Sequence, residues 1–224
     1  MTETFDAALF GENIITTLQH ALQKLIIPFD DDNDEVGPTV IPCGATVYVC
    51  PIESEAIRNK NRFLYSVLQN VDLEDIPIYC TTGSKDDPYT TENLSKLRGG
   101  YKRLSDSTIL TKVNFTSIEE LDILSSGIQW DVIVDLTKSG KLDAIAVWFD
   151  LHLDEDISIS TDPTNKNCWE QAIFPVLPSN FCHCHNGIGF QNNFQVHSGN
   201  KAQLCFSLHE NYLHLNSCQI IDWN

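Results

Sequence analysis

The chain has 224 residues, 42% hydrophobic and 20% charged. That supplies a packed core and argues against general disorder. With 14 Lys plus Arg against 31 Asp plus Glu, the net charge is −17. Such acidity argues against direct contact with nucleic acid or an anionic membrane and favours cationic partners, such as Lys- or Arg-rich protein segments. No apolar run approaches the ~20 residues that a membrane span needs.

The opening MTETFDAALFGEN has no basic segment ahead of an apolar stretch, so it does not read as a secretory signal. Phe10, Ile14, Leu18, Leu22 and Leu25 then recur at helical spacing. They predict one amphipathic helix, stopped by Pro28. The acidic run from Asp30 to Glu35 reads as an exposed connection.

After Gly37 the period becomes two. Strands are expected over 46–52 and, most clearly, over 143–154. There Ile145, Val147, Phe149, Leu151 and Leu153 alternate with Ala144, Ala146, Trp148, Asp150 and His152, the pattern of a half-buried strand. Shorter alternations follow at 157–160, 204–209 and 213–215. The fold class expected is mainly β, a barrel or sandwich preceded by one helix. Residues 64–100 interrupt the pattern with acidic residues and prolines. A connection this long inside a compact domain is either disordered or functional.

Eight cysteines, at positions 43, 50, 80, 168, 182, 184, 205 and 218, are expected to be reduced thiols. The expected compartment is the cytoplasm, with the nucleus besides. The sequons at Asn93 and Asn114 are expected to be idle. Cys182-His183-Cys184-His185 has the residue types of a zinc site but not the spacing, so no metal is expected. Neither a GxGxxG turn nor a phosphate loop is present.

Glu3 and Glu12 frame the segment ETFDAALFGE. Two carboxylates in a loop before a helix can grip a guanidinium, whose planar paired donors suit them. In an acidic chain such a pair is usually plain solvated charge, and spacing alone favours that reading. Cys168-Trp169 lies in a loop before the apolar run from Ala172 to Val176. The tryptophan reads as a packing anchor, and no neighbouring histidine supports a nucleophilic cysteine.

Three stretches together resemble the protein arginine N-methyltransferase family. They are TETFDAALFGENIITTLQHAL, DAIAVWFDLHLDEDISISTDP and NCWEQAIFPV. The N-terminal stretch resembles the family's double-glutamate loop and following helix. The stretch from Asp143 resembles its central barrel strands. The stretch from Asn167 resembles the loop that most members spell Thr-His-Trp. DPYTTENLSKLRGGY is similar to one subtype that resembles symmetric dimethylating enzymes. The resemblance implies a β-barrel domain over 37–224 with a dimerisation arm at about 64–100. Residues 1–28 are then the remnant of an α/β methyltransferase domain. It implies that Glu3 and Glu12 bind the substrate guanidinium, and that Cys168, in the family's histidine position, and Trp169 line the same site. It implies S-adenosylmethionine as cofactor and self-association through the arm. The family's cofactor-binding strand should precede Glu3, and a second methyltransferase-like unit should follow the barrel. The chain is therefore expected to be a fragment that is inactive alone. The competing expectation is a non-catalytic barrel for dimerisation or for docking basic segments.

Overall fold

The computed structural model describes residues 5–25, 40–61, 88–165, 168–176, 181–183 and 194–221. In chain order, a loop leads into α1 (Ile14–His20) and a π-helical turn (Ala21–Leu25). Next come β1 (Gly44–Glu53), α2 (Glu55–Asn61), β2 (Thr90–Glu92), a 3-10 turn (Leu94–Lys96), β3 (Lys102–Arg103), β4 (Thr108–Asn114) and α3 (Ile118–Ser125). The remaining strands are β5 (Ile128–Asp135), β6 (Gly140–Lys141), β7 (Ala144–His152), β8 (Ser158–Ser160), β9 (Gln171–Pro175), β10 (Phe181–His183), β11 (Gln195–Val196), β12 (Lys201–His209) and β13 (Tyr212–Ile221).

One sheet runs β2-β9-β7-β1-β3, with β4 also on β1 and β8 also on β7. A second runs β10-β13-β12-β5, and β11 pairs with β6. The two large sheets face one core. Ala45, Val47 and Val49 of β1, alternate residues of β7, and Ala202, Leu204, Phe206 and Leu208 of β12 all enter it. Phe174 of β9 and Phe206 of β12 meet edge to face at 5.3 Å. Among the described residues these sheets are not hydrogen-bonded into a closed ring.

β12 shows the simplest link from sequence to packing. Its burial alternates strictly, because one face meets the core and the other meets water. β7 departs from its predicted half-burial. Ala144, Ala146 and Trp148 are buried too, in a second cluster with Cys50, Ile52, Ile57 and Leu94. The helix α2 and the turn at Leu94 cover that face, so β7 is a central strand dressed on both sides. β1 beside it is also covered on both faces. At its start, a Cβ on Gly44 would lie 2.6 Å from the Val113 carbonyl oxygen, so only glycine admits β4 this closely.

The single long helix predicted from Phe10 is corrected. Phe10 belongs to the preceding loop, and regular α-helix spans only Ile14–His20. Leu18 and Leu22 pack against the core, whereas Leu25 is 69% exposed. The apolar spacing began early because the loop residues Ala7 to Phe10 are themselves buried. Two helices were not predicted. One of them, α3, carries a readable start: the Ser117 hydroxyl accepts the Glu120 N–H at 3.3 Å, within a Ser-x-x-Glu pattern. α3 packs beside α1, where Gln19 Nε2 donates to Asp122 Oδ1 at 2.6 Å and to Ser125 Oγ at 3.0 Å.

Pro28, the acidic run at 30–35 and residues 62–87 lie outside the described residues. Within 88–100, the end of the stretch expected to be irregular, β2 adds an edge to the main sheet through β9, with Thr91 opposite Ala172. No helix of the described residues is long and apolar enough to cross a membrane.

Candidate functional site

Of the four candidate side chains, Glu3 lies outside the described residues. Glu12 is exposed, two residues before α1. Cys168 is exposed, and Trp169 is half-buried with its ring edge-on to Phe149 at 5.5 Å.

The loop carrying Glu12 is held from inside. Asp6 folds it: Oδ1 accepts the Ala8 N–H at 3.1 Å, and the Asp6 carbonyl accepts the Leu9 N–H at 3.1 Å. Leu9, fully buried, takes a left-handed φ of 81°, an unfavourable geometry for a branched side chain that the surrounding packing imposes. The Tyr89 hydroxyl donates to Asp6 Oδ2. Burial, the Asp6 charge and this hydrogen bond, with smaller contributions from Tyr212 and Glu12, raise the Tyr89 pKa, so the hydroxyl keeps its proton.

The Trp169 loop is held by Gln171, which is buried. Its Nε2 donates to the Thr161 carbonyl at 2.9 Å and to the Trp169 carbonyl at 3.2 Å, while its Oε1 accepts the Leu94 N–H at 3.0 Å. Tyr89 bridges the two loops. It binds Asp6 on one side, and its ring meets Phe174 of β9 at 5.1 Å on the other. Glu12 and Trp169 are therefore connected through Tyr89 and β9.

A third element enters at the tip of the β12–β13 hairpin. Glu210 and Asn211 take φ of 49° and 66°, the left-handed pair of a tight two-residue turn. Asn211 Nδ2 donates to Asn13 Oδ1 at 2.7 Å. Asn13, at the helix start, therefore spends its side chain on the hairpin rather than on capping α1.

Sequence reading missed Asp6, Tyr89, Gln171 and Asn211. Asp6 and Asn211 carry local signals, a turn-forming Asp two residues before an N–H it can accept and an Asn in a hairpin turn. Tyr89 and Gln171 act across the fold and carry none. Of the Cys/His cluster, only the backbone of Cys182 and His183 is described. Among the described residues, no group of three His, Cys, Asp or Glu is placed to hold a metal ion.

The family profile described as the arginine methyltransferase oligomerization subdomain matches residues 44–214. The chain belongs to the arginine methyltransferase family. The matched span reaches through β12 to His214, beyond residue 176, where the motif-by-motif resemblance ended. Protein arginine N-methyltransferase 9 of Xenopus laevis is 37% identical over 199 residues, 84% of this chain and 24% of its own length. The Mus musculus protein of that name is 32% identical over 99% of this chain and 26% of its own. The chain thus spans about a quarter of the length of the curated relatives it matches. A solved Trypanosoma brucei PRMT1 enzyme–prozyme heterotetrameric complex with AdoHcy shares the fold. Its TM-score is 0.59 at 16% identity, covering 97% of this chain and 60% of that one.

Proposed function

We propose that the protein bearing this chain is a protein arginine N-methyltransferase. It moves methyl groups from S-adenosylmethionine to arginine guanidino nitrogens of protein substrates, with symmetric dimethylarginine as product. The observation that carries this reading is Glu12. It stands exposed on a loop whose residues 7–11 are buried, in a stretch that resembles the family's double-glutamate loop. Glu3 is assigned the second carboxylate.

The chemistry follows from the pair. A guanidinium offers planar N–H donors, and two carboxylates fix its plane and draw its charge away from the attacking nitrogen. One of them takes the proton that nitrogen releases. Trp169 gives the site an aromatic wall. Cys168 lacks the ring nitrogens of the family's usual histidine, so no hydrogen bond of that histidine is assigned to it. The acidic surface draws basic segments towards the site.

S-adenosylmethionine supplies the electrophilic methyl group. The described residues do not fit its nucleotide, which needs a strand, a glycine-rich turn and a helix in succession. The one parallel pairing among them joins β10 to β13, and the described elements between those strands are β11 and β12. No residue of this chain is assigned to the methyl donor.

We read the two facing sheets as the family's β-barrel, and assign the family's arm to the stretch at about 64–100. The compartment proposed is the cytoplasm, with the nucleus besides. A second reading is a non-catalytic module for dimerisation or for docking basic segments, favoured by the profile's description as an oligomerization subdomain. Methyl transfer to an arginine-rich peptide by the complete protein separates the two. Glu3→Gln and Glu12→Gln should each slow turnover by about one to two orders of magnitude, the worth of one charge-assisted anchor. Near-parent turnover in either variant ends the site assignment.

A further inference from the structure

Glu12 sits in the most heavily anchored part of the N-terminal loop, although it is itself exposed. The residue before it, Gly11, is buried and pressed on Asp6 and Tyr89. A Cβ there would lie 2.7 Å from the Asp6 Cγ and 3.0 Å from the Tyr89 hydroxyl. The residue after it, Asn13, has a left-handed φ of 59° and is bound by Asn211 at 2.7 Å. Both neighbours of Glu12 are thus fixed by side chains far away in sequence. Tyr89 comes from the return of the chain into β2, and Asn211 from the last hairpin.

We propose that Tyr89 and Asn211 are positioning residues that brace Glu12 from its two sides and set its carboxylate for the substrate guanidinium. The inference rests on the reading of Glu12 as a guanidinium-binding carboxylate. Neither brace touches the substrate. Each acts by narrowing the backbone freedom of residues 11–13, so a carboxylate that must meet a planar donor pair stays in register with it. Burial and the Asp6 charge keep the Tyr89 donor protonated. The brace at Asn211 makes the site sensitive to the placement of the β12–β13 hairpin, which belongs to the opposite sheet. A site on one loop is thereby tied to both sheets of the domain.

The test uses the complete protein and an arginine-rich peptide, with kcat and KM measured for parent, Tyr89→Phe, Asn211→Gly, Glu12→Gln, and each brace variant combined with Glu12→Gln. Tyr89→Phe removes one oxygen, and Asn211→Gly keeps a residue that accepts the left-handed turn. Each brace variant should lower kcat/KM for the peptide about tenfold, since small misplacements of a reacting group are costly. Affinity for S-adenosylmethionine should not change. In the Glu12→Gln background the brace variants should have no further effect, because they act through that carboxylate. A merely structural loss would lower activity by the same factor in both backgrounds. That additive result, or kcat/KM within about twofold of parent for both brace variants, overturns the inference while leaving the role of Glu12 intact. Should Tyr89→Phe not fold, Asn211→Gly decides alone. Parent-like turnover in Glu12→Gln overturns both the inference and the reading beneath it.

Discussion

Arg58 closes a fork on Asp143: Nε and Nη2 lie 2.8 Å from the two carboxylate oxygens. The Asp143 side chain is fully buried, and its Oδ2 also accepts the Ser54 N–H at 2.8 Å. The pair fastens α2 to the start of β7. Removing the cation would leave a buried carboxylate short of its compensation. Arg58→Ala is expected to cost about 3 kcal/mol, and Arg58→Lys a large part of that, because an ammonium cannot make the fork. Urea unfolding of the variants measures it, and a loss below about 0.5 kcal/mol for Arg58→Ala would show that the fork contributes little.

Cys218 is buried in the core, and burial pushes its thiol up to about 12 from an ordinary 9.0. The folded pKa is the raised one. This contribution to stability is therefore complete below about pH 9 and is lost as pH rises towards 12. Each pH unit in that window is worth about 1.4 kcal/mol. Unfolding free energy should fall by roughly 2 kcal/mol between about pH 8 and about pH 10.5 from this group. Cys218→Ala should flatten the slope, and an unchanged slope would remove the thiol from the account.

Thiol labelling should follow the same burial. Cys168 is exposed, whereas Cys50 and Cys218 are buried with raised pKa values. Among the described cysteines, Cys168 should react first with a maleimide, and Cys50 and Cys218 only on unfolding. Mass spectrometry of partly labelled protein reads the order directly, and early label on Cys218 would contradict it.

Phe174 and Phe206 are fully or nearly fully buried and join the two sheets face to edge. Phe206→Ala should cost about 3–5 kcal/mol, against less than about 1.5 kcal/mol for Phe206→Leu after repacking. Thermal unfolding distinguishes them, and equal losses would mean that leucine's aliphatic bulk cannot stand in for the ring.

The chain alone should bind S-adenosylmethionine weakly or not at all, since none of its described residues forms a nucleotide cradle. Calorimetric titration checks this, and low-micromolar affinity would place a donor site within these residues.

Legibility in the sequence tracked the range of the forces involved. β12 was readable because its alternation is decided by one wet and one dry face. β7 was located correctly, but its second face was misjudged. Its covering residues Ile57, Leu94 and Leu97 lie far away in the chain, and alanines cannot announce their burial. The helix start at Ile14 was blurred because the loop before it is as apolar as a helix face. Glu12 was reached through the resemblance of its surroundings. Its anchors Tyr89 and Asn211 were invisible, since a tyrosine after a proline and an asparagine in a turn look alike whether or not anything rests on them.

β1 pairs with the whole of β7, so that Gly44 lies opposite His152 and Ile52 opposite Ala144. The sheet is thus sealed by a closure between distant parts of the chain, and everything from α2 to β6 hangs inside that closure. The entropy of closing a loop grows only with the logarithm of its length, about 0.6 kcal/mol for each doubling. The excursion between α2 and β2 can therefore lengthen or shorten in evolution at little thermodynamic expense. What such changes alter is tempo: β1 must wait for β7, while the β12–β13 hairpin can form at once from its neighbours.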